Sequence, residues 1–407
     1  MGVLVDLERT AEAGGHVKCW ERIAEAACDR EGTLELSVHF LASEDAIVPL
    51  ASNVRLVHHR PRLSTTRLRF LGELPGPTDL AWSHAGLRRY LPGYEVIHTA
   101  DAYFAFARTA LRHAKRTGTP LVSSTHTDVP QYTRVFTAGI VEALLGGPAG
   151  DRLRLGERAG AWMERRLDRY LARCDHVLGS SPRDVARARR LLPPDRVSGF
   201  RRGVEKERFH PRLRDRAALA QRFGLSPDRP VVLYVGRLDA AKSPLVLARA
   251  LRGLSDRGIQ AHALFVGAGP ERGAIDALLG PSATLAGALP QGELPSLYAS
   301  ADLFVLPSRT ELFPNVVLEA KSAGLPVILS TEGGAAQLVH APGVDGALVS
   351  SEDPGVWADA MTPLIRDPAH REAMGRAARA DIEDRWPTWS EVLAEDLLPV
   401  WTRVSGR

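Results

Sequence analysis

The chain has 407 residues, enough for two domains of ordinary size, and its 44% hydrophobic and 25% charged composition is that of a soluble globular protein. Collagen-like, disordered and coiled-coil organisation are excluded for the bulk, and no apolar run reaches the roughly 18–20 residues of a membrane span. Acids stand early (Asp6, Glu8, Glu12) where a signal peptide needs a basic start, so none is expected. Cys19, Cys28 and Cys174 fit neither a metal knuckle nor an even disulfide framework, which suits a reducing cytoplasm.

The net charge of +4 is unevenly spread. Residues 1–50 hold 4 basic and 10 acidic side chains, residues 51–216 hold 31 and 16, and residues 217–407 hold 17 and 22. The basic excess of the first half, nearly all arginine, would draw phosphates: an anionic lipid surface, an acidic acceptor or nucleic acid. An ordinary solvated surface in an arginine-rich protein accounts for the same numbers equally well. Nucleic acid is disfavoured, since the stretch has no reading motif and no regularly interleaved aromatics.

In chain order, the first half offers a short opening strand at Val3–Asp6 and strands at 33–40, 54–58, 95–99, 119–124 and 176–180. Helices are predicted near 15–28, 103–117 and 157–172, and residues 145–155 read as a mobile loop. The second half is clearer. Short apolar strands at 230–236, 261–267, 283–286, 303–307 and 326–330 alternate with helices near 243–257, 270–279, 292–300 and 315–324. Such alternation predicts a doubly wound parallel sheet, with continuous apolar strands because both faces are covered. The last segment, 387–401, reads as one amphipathic helix with Trp386 and Trp389 near its start.

Two Rossmann-like domains are expected to face a central cleft, where the carboxyl ends of both sheets bind ligands. The predicted division is 1–205, 206–385 and a final segment, 386–407, crossing back to the first domain.

Gly236 ends a strand and is followed by Arg237 and Lys242 just before a helix. Backbone N–H groups, a helix N-terminus and two cations suit a diphosphate, although two surface cations on a loop would look the same. Glu311 and Glu319 bracket the start of the next helix but two, and eight residues of helix span about 12 Å, the reach of a hexose plus diphosphate.

The block Val232–Val327 resembles the donor domain of retaining GT-B glycosyltransferases, the large bacterial hexosyl and mannosyl transferase family (family four, group 1). The matching segments run in order: Val-Gly-Arg with Lys242, Phe265-Val-Gly-Ala-Gly-Pro-Glu-Arg272, Leu297-Tyr-Ala-Ser-Ala-Asp-Leu-Phe-Val-Leu-Pro-Ser308, the two-glutamate motif, and Ala320-Lys-Ser-Ala-Gly-Leu-Pro-Val327. The resemblance implies that Arg237 and Lys242 hold the diphosphate, Glu311 the donor sugar and Glu319 the ribose. Phe313, Pro314, Asn315 and Val316 complete the donor contacts, with the base near Leu289. Two positions depart from the family: Pro314 stands where glycine would offer an N–H, and Gln337 stands where glutamate is usual.

In the first half, Gly14-Gly15-His16 resembles the family's glycine loop over donor phosphates and acceptor. Ser123-Ser-Thr-His126-Thr-Asp128-Val-Pro-Gln-Tyr132 resembles the segment of members that glycosylate membrane lipids, which implies that His126 reaches the donor sugar and puts Asp128 on the acceptor side. Arg202-Gly203-Val204-Glu205 resembles the hinge signature.

The expectation is a cytoplasmic, retaining hexosyltransferase using a UDP- or GDP-sugar, with no cofactor and no metal, since no Asp-x-Asp pair stands ready to hold one. Catalysis would rest on His126, Glu311, Arg237 and Lys242, completed by domain closure. The acceptor is a hydroxyl, on a membrane lipid or lipid-linked glycan with peripheral contact to an anionic membrane, or on a soluble aglycone or polysaccharide. A dehydrogenase is disfavoured because Gly273 comes one position late after Gly267-Ala-Gly269. A non-catalytic nucleotide-sugar-binding regulator is the remaining alternative of another class.

Overall fold

The computed structural model describes residues 1–10, 15–64, 78–126, 129–130, 133–134, 137, 155–226, 228–311 and 313–406. They form two compact units, Met1–Gly203 with Trp389–Arg407, and Val204–Thr388.

The first unit is built on an eight-stranded sheet in the order β3-β4-β2-β1-β5-β6-β7-β8. Its strands are β1 (Gly2–Glu8), β2 (Leu36–Leu41), β3 (Ala46–Pro49), β4 (Val54–His59), β5 (Ile97–Thr99), β6 (Leu121–Thr125), β7 (His176–Gly179) and β8 (Val197–Gly199). All pairings are parallel except the edge strand β3, which runs antiparallel to β4. β2, β6 and β7 are buried throughout, as strands covered on both faces must be, whereas β3 alternates between part-buried and exposed. The opening strand is longer than its sequence suggests. Its acids disguised it: Asp6 is buried and accepts the Phe106 N–H at 2.6 Å, at the start of the helix Ala105–Thr117.

The second unit has a six-stranded sheet, β11-β10-β9-β12-β13-β14, parallel throughout. Its strands are β9 (Val231–Val235), β10 (His262–Val266), β11 (Ala283–Gly287), β12 (Leu303–Leu306), β13 (Val327–Ser330) and β14 (Ala347–Val349). β9, β10, β12 and β13 are wholly buried. The helices Pro354–Arg366 and Pro368–Arg385 have no counterpart in the sequence reading, yet each opens on an Asp-Pro pair. Asp353 accepts the Gly355 N–H at 2.8 Å and Asp367 the His370 N–H at 3.1 Å, both caps preceding a proline in the first turn.

Two corrections concern the C-terminus. Trp386 does not begin the last helix: it closes Pro368–Arg385 and packs on Phe313, ring centroids 5.6 Å apart. The last helix is not one regular element either. It runs Trp389–Glu391, then widens to a π segment Val392–Leu397, then continues as Leu398–Ser405. Pro399 lacks the N–H that would continue the regular ladder, a physical reason for the widened turn. Trp389, Val392, Leu397 and Trp401 join the core of the first unit.

Among the described residues, His340, Asp345 and Asp381 are placed closely enough to hold a cation. That cation is already supplied by the chain. The fully buried Lys321 Nζ lies 2.6 Å from Asp381 Oδ2, 2.9 Å from Asp345 Oδ2 and 2.7 Å from the Leu338 carbonyl. The node ties the helix Asn315–Ser322, which carries Glu319, to the loop before β14 and to Pro368–Arg385.

Candidate active site

In the second unit the strand order places β9 beside β12, with β10 and β11 on one side and β13 and β14 on the other. The chain changes direction of winding there, and loops at the carboxyl ends of such a pair splay apart to receive ligands. Of the predicted donor residues, Gly236, Arg237, Lys242, Glu311, Phe313 and Pro314 lie on those two loops. After β9 come Gly236, Arg237 and a 3-10 turn, Ala240–Lys242, capped by Asp239. After β12 come Ser308, Thr310 and Glu311.

The loops are tied together. Ser308 Oγ and Thr310 Oγ1 both donate to the Ala241 carbonyl, at 3.2 and 2.9 Å, and Lys242 Nζ forms a salt bridge with Glu311 Oε1. Lys242 and Glu311 are half-buried, whereas Arg237 is largely exposed and reaches back to Asp239 at 3.0 Å. Sequence reading gave Arg237 and Lys242 a common task and left Ser308 and Thr310 without one. Two hydroxyl residues flanking Arg309 at the end of a buried strand were the available signal.

Close backbone approach explains two glycines. Gly267 has φ +141, and a Cβ there would collide with the Gly236 carbonyl oxygen. Gly333, at φ +73, would bring a Cβ within 2.6 Å of the Arg309 oxygen, and the Gly334 N–H donates to the Glu311 carbonyl. The small-residue loop after β13 thus buttresses the backbone that presents Glu311.

The helix Asn315–Ser322 starts at Pro314 with no side-chain cap, and Pro244–Asp256 also starts without one. Helix starts of this kind favour anions through their N–H groups and dipole. Glu319 is partly buried beside Tyr298, whose phenol is pushed well above its ordinary pKa by burial first and by the Glu319 carboxylate second. Val316 and Leu289 are partly buried against the core.

The first unit repeats the logic at β1 and β5, the adjacent strands where its winding reverses. Gly15 begins the helix Gly15–Ala27 and its carbonyl accepts from Arg202 at 2.8 Å. His16 follows it and stacks on His126, ring centroids 4.2 Å apart and planes 14° off parallel. Asp101, two residues beyond β5, faces both residues: its Oδ2 is 3.3 Å from His16 Nδ1 and its Oδ1 accepts the backbone N–H of His126 at 3.2 Å. Asp101 holds φ +147, a backbone conformation uncommon for a residue with a Cβ, at a point where that strain sets side-chain position. Sequence reading missed it.

Burial and then Arg202 push the His16 imidazole down to about 3. Burial, with His16 next, lowers His126 well below its ordinary value. Both rings are therefore neutral at physiological pH. Gly14 and Asp128 lie outside the described residues, as does most of the 145–155 loop. A separate depression lined by His176, Asp195, Arg201, Asp396 and Arg403 contains none of the predicted site residues.

Residues 215–381 match the family Glycosyl transferases group 1, and residues 13–208 match Glycosyltransferase Family 4. A D-inositol 3-phosphate glycosyltransferase of Salinispora arenicola is 30% identical over 403 residues, spanning 91% of this chain and 83% of that protein. Sulfoquinovosyl transferase SQD2 of Arabidopsis thaliana is 31% identical over 303 residues, 73% of this chain, which spans only 54% of that protein. Among solved structures, sucrose-phosphate synthase from Thermosynechococcus elongatus superimposes with a TM-score of 0.72 at 19% identity, covering 100% of this chain and 99% of that one. Anabaena HepE, solved in complex with UDP and glucose, gives a TM-score of 0.63 at 18% identity over 97% and 98% of the two chains. The chain thus shares the GT-B fold of these structures and belongs to the group 1 glycosyltransferases of family 4.

Proposed function

We propose that this glycosyltransferase moves a hexose from a nucleoside-diphosphate sugar to a hydroxyl acceptor with retention of anomeric configuration and without a metal. The observation that carries the reading is the Lys242–Glu311 pair, which joins the two loops at the winding reversal of the second unit, beside a helix start without a side-chain cap. In this reading Arg237 and Lys242 neutralise charge growing on the leaving diphosphate, which itself takes the acceptor proton. Glu311 accepts hydrogen bonds from the sugar, Glu319 holds the ribose, and His126 of the first unit helps orient the sugar. The protein's work is electrostatic and positional.

A panel of UDP- and GDP-linked glucose, mannose and N-acetylglucosamine, read by thermal stabilisation and slow hydrolysis, tests the donor. Chelators should leave transfer intact, and Lys242→Ala should slow it at least about tenfold, a charge-assisted hydrogen bond being worth about 1.5–3 kcal/mol. Inactivation by EDTA with recovery on adding Mn²⁺ or Mg²⁺ contradicts the metal-free reading.

The acceptor is read as one that carries negative charge of its own. The basic excess of residues 51–216 supports this, as do relatives named for inositol 3-phosphate. An anionic membrane is the second reading, favoured by the helix Leu155–Leu171 and the turn after it, where Arg158, Trp162, Arg165, Arg169 and Arg173 are all exposed. Each such cation contributes about 1 kcal/mol near an anionic leaflet. Co-sedimentation with anionic vesicles at low salt, lost at high salt and absent with neutral vesicles, is expected if the acceptor is membrane-borne. Equal, negligible binding to both leaves the soluble acceptor.

A further inference from the structure

His126 is the end of a line of buried polar groups that starts on the last helix. Trp401 Nε1 donates to His98 Nδ1 at 3.0 Å. His98 Nε2 is 2.9 Å from Ser124 Oγ, and Ser124 Oγ is 2.8 Å from His126 Nε2. Trp401 is 2% exposed and His98 and Ser124 are fully buried. The line joins residues 303 apart in sequence, from the last helix through β5 and β6 to the residue that follows β6.

One arrangement of protons satisfies every contact of the line. An indole nitrogen can only donate, so His98 Nδ1 must be the acceptor and carry no proton. Burial first and His176 second push His98 down to about 3, so the ring is neutral and its single proton sits on Nε2. That N–H donates to Ser124 Oγ. The serine oxygen could accept a second N–H, from His126, but its own proton would then have no partner on the line; giving that proton to a lone pair on His126 Nε2 satisfies both groups. His126, also neutral, must hold its own proton on Nδ1. That atom is shut off from solvent and has no partner among the described residues. The ring plane is fixed as well, by the stack on His16 and by the edge of Trp20 at 5.9 Å.

We propose that Trp401, His98 and Ser124 are positioning residues that lock His126 in the Nδ1–H tautomer, so that the ring's one unpartnered nitrogen is a donor and not an acceptor. That this donor serves a bound nucleotide sugar rests on the transferase reading above and requires the covered atom to be uncovered on binding; the tautomer itself needs neither. The last helix, which crosses back from the end of the second unit, thereby sets the protonation pattern of the site histidine. With the opposite tautomer, His126 would offer a lone pair at Nδ1, which repels a phosphate oxygen and accepts from a hydroxyl where it would otherwise donate.

The test uses the full chain labelled with ¹⁵N-histidine, with imidazole signals of His98 and His126 identified from the His98→Gln and His126→Gln spectra. The wild-type protein should show His98 protonated at Nε2 and His126 at Nδ1. Trp401→Phe keeps the ring and deletes the N–H, so His98 should lose its tautomer preference and His126 should follow. Ser124→Ala should release His126 alone and leave His98 protonated at Nε2. Both variants should lower kcat about tenfold, the scale for losing a group that orients a functional histidine, with the donor KM essentially unchanged. The proposal is overturned if wild-type His126 is protonated at Nε2, or if it remains at Nδ1 in both variants. Should Trp401→Phe fail to fold, the wild-type and Ser124→Ala spectra decide it. Should no nucleotide sugar be turned over by the wild-type protein, the transferase reading falls and the spectra still decide the line.

Discussion

Glu311→Ala is expected to lower transfer at least about a hundredfold while UDP or GDP binds as before. In the proposed reading its carboxylate accepts two hydrogen bonds from sugar hydroxyls, each charge-assisted contact being worth about 1.5–3 kcal/mol, and makes none to the nucleotide. The structure sharpens the expectation, because Glu311 is also the salt-bridge partner of Lys242. Removing the carboxylate leaves the Lys242 ammonium with no counter-charge on that side, so affinity for the free nucleoside diphosphate should hold or rise. Glu319→Ala should do the reverse. It sits inside the helix beside Tyr298, away from the loop pair, and its loss should weaken nucleotide binding at least about a hundredfold if two charge-assisted contacts of about 1.5–3 kcal/mol each are lost. Calorimetric titration of both variants with UDP and GDP, alongside transfer rates, separates the two roles. Equal loss of nucleotide affinity in both variants would show that the division of labour is wrong.

The second unit was legible because its physics is local. A parallel strand covered on both faces must be a short apolar run, and Val231–Val235, His262–Val266, Leu303–Leu306 and Val327–Ser330 are such runs between helices of regular length. Their order in the sheet also puts Arg237, Lys242 and Glu311 on loops at the carboxyl ends of two adjacent central strands. The first unit was harder. β1 carries Asp6 and Glu8, β3 is an exposed edge strand, and β8 has three residues; none announces itself by hydrophobicity.

The two-unit α/β fold and the family were therefore readable from the strand–helix alternation and the ordered motifs. Much of the surroundings of His126 was not. Asp101 holds a positive φ, which a sequence does not display. Ser124, His98 and Trp401 meet only because the last helix packs into the first unit, and a tryptophan in an amphipathic helix reads as core whether or not its N–H has a partner. Trp386 was misassigned for the same reason: an aromatic near an element boundary does not say which side it packs on.

The other large expected effect is on stability at mild acid, and it should fall mainly on the first unit. Burial is the leading cause that pushes His16 and His98 down to about 3 and His59 and His176 down to about 4, and all four lie in that unit. His39, hydrogen-bonded between His59 at 2.8 Å and Tyr94 at 2.6 Å, is also lowered well below its ordinary value, burial again first. An unfolded histidine titrates near 6.5. Between that pH and about 3–4 the unfolded chain binds protons that the folded chain refuses, so stability is complete above about pH 6.5 and lost as pH falls. Each such histidine costs about 1.4 kcal/mol per pH unit in that window, and four together cost at most about 5–6 kcal/mol per pH unit. A domain stable by about 5–15 kcal/mol cannot absorb that loss for more than a pH unit or two. Denaturant unfolding followed at pH 7.5, 6.0 and 5.0 should therefore split into two transitions. The first, reported by Trp20 and Trp401, should move to lower denaturant as pH falls, while the second, reported by Trp357 and Trp386, should move much less. A first transition that stays fixed from pH 7.5 to 5.0 would mean that these imidazoles take up protons without disturbing the fold, and that the hydrogen-bonded line to His126 is not held by neutral rings.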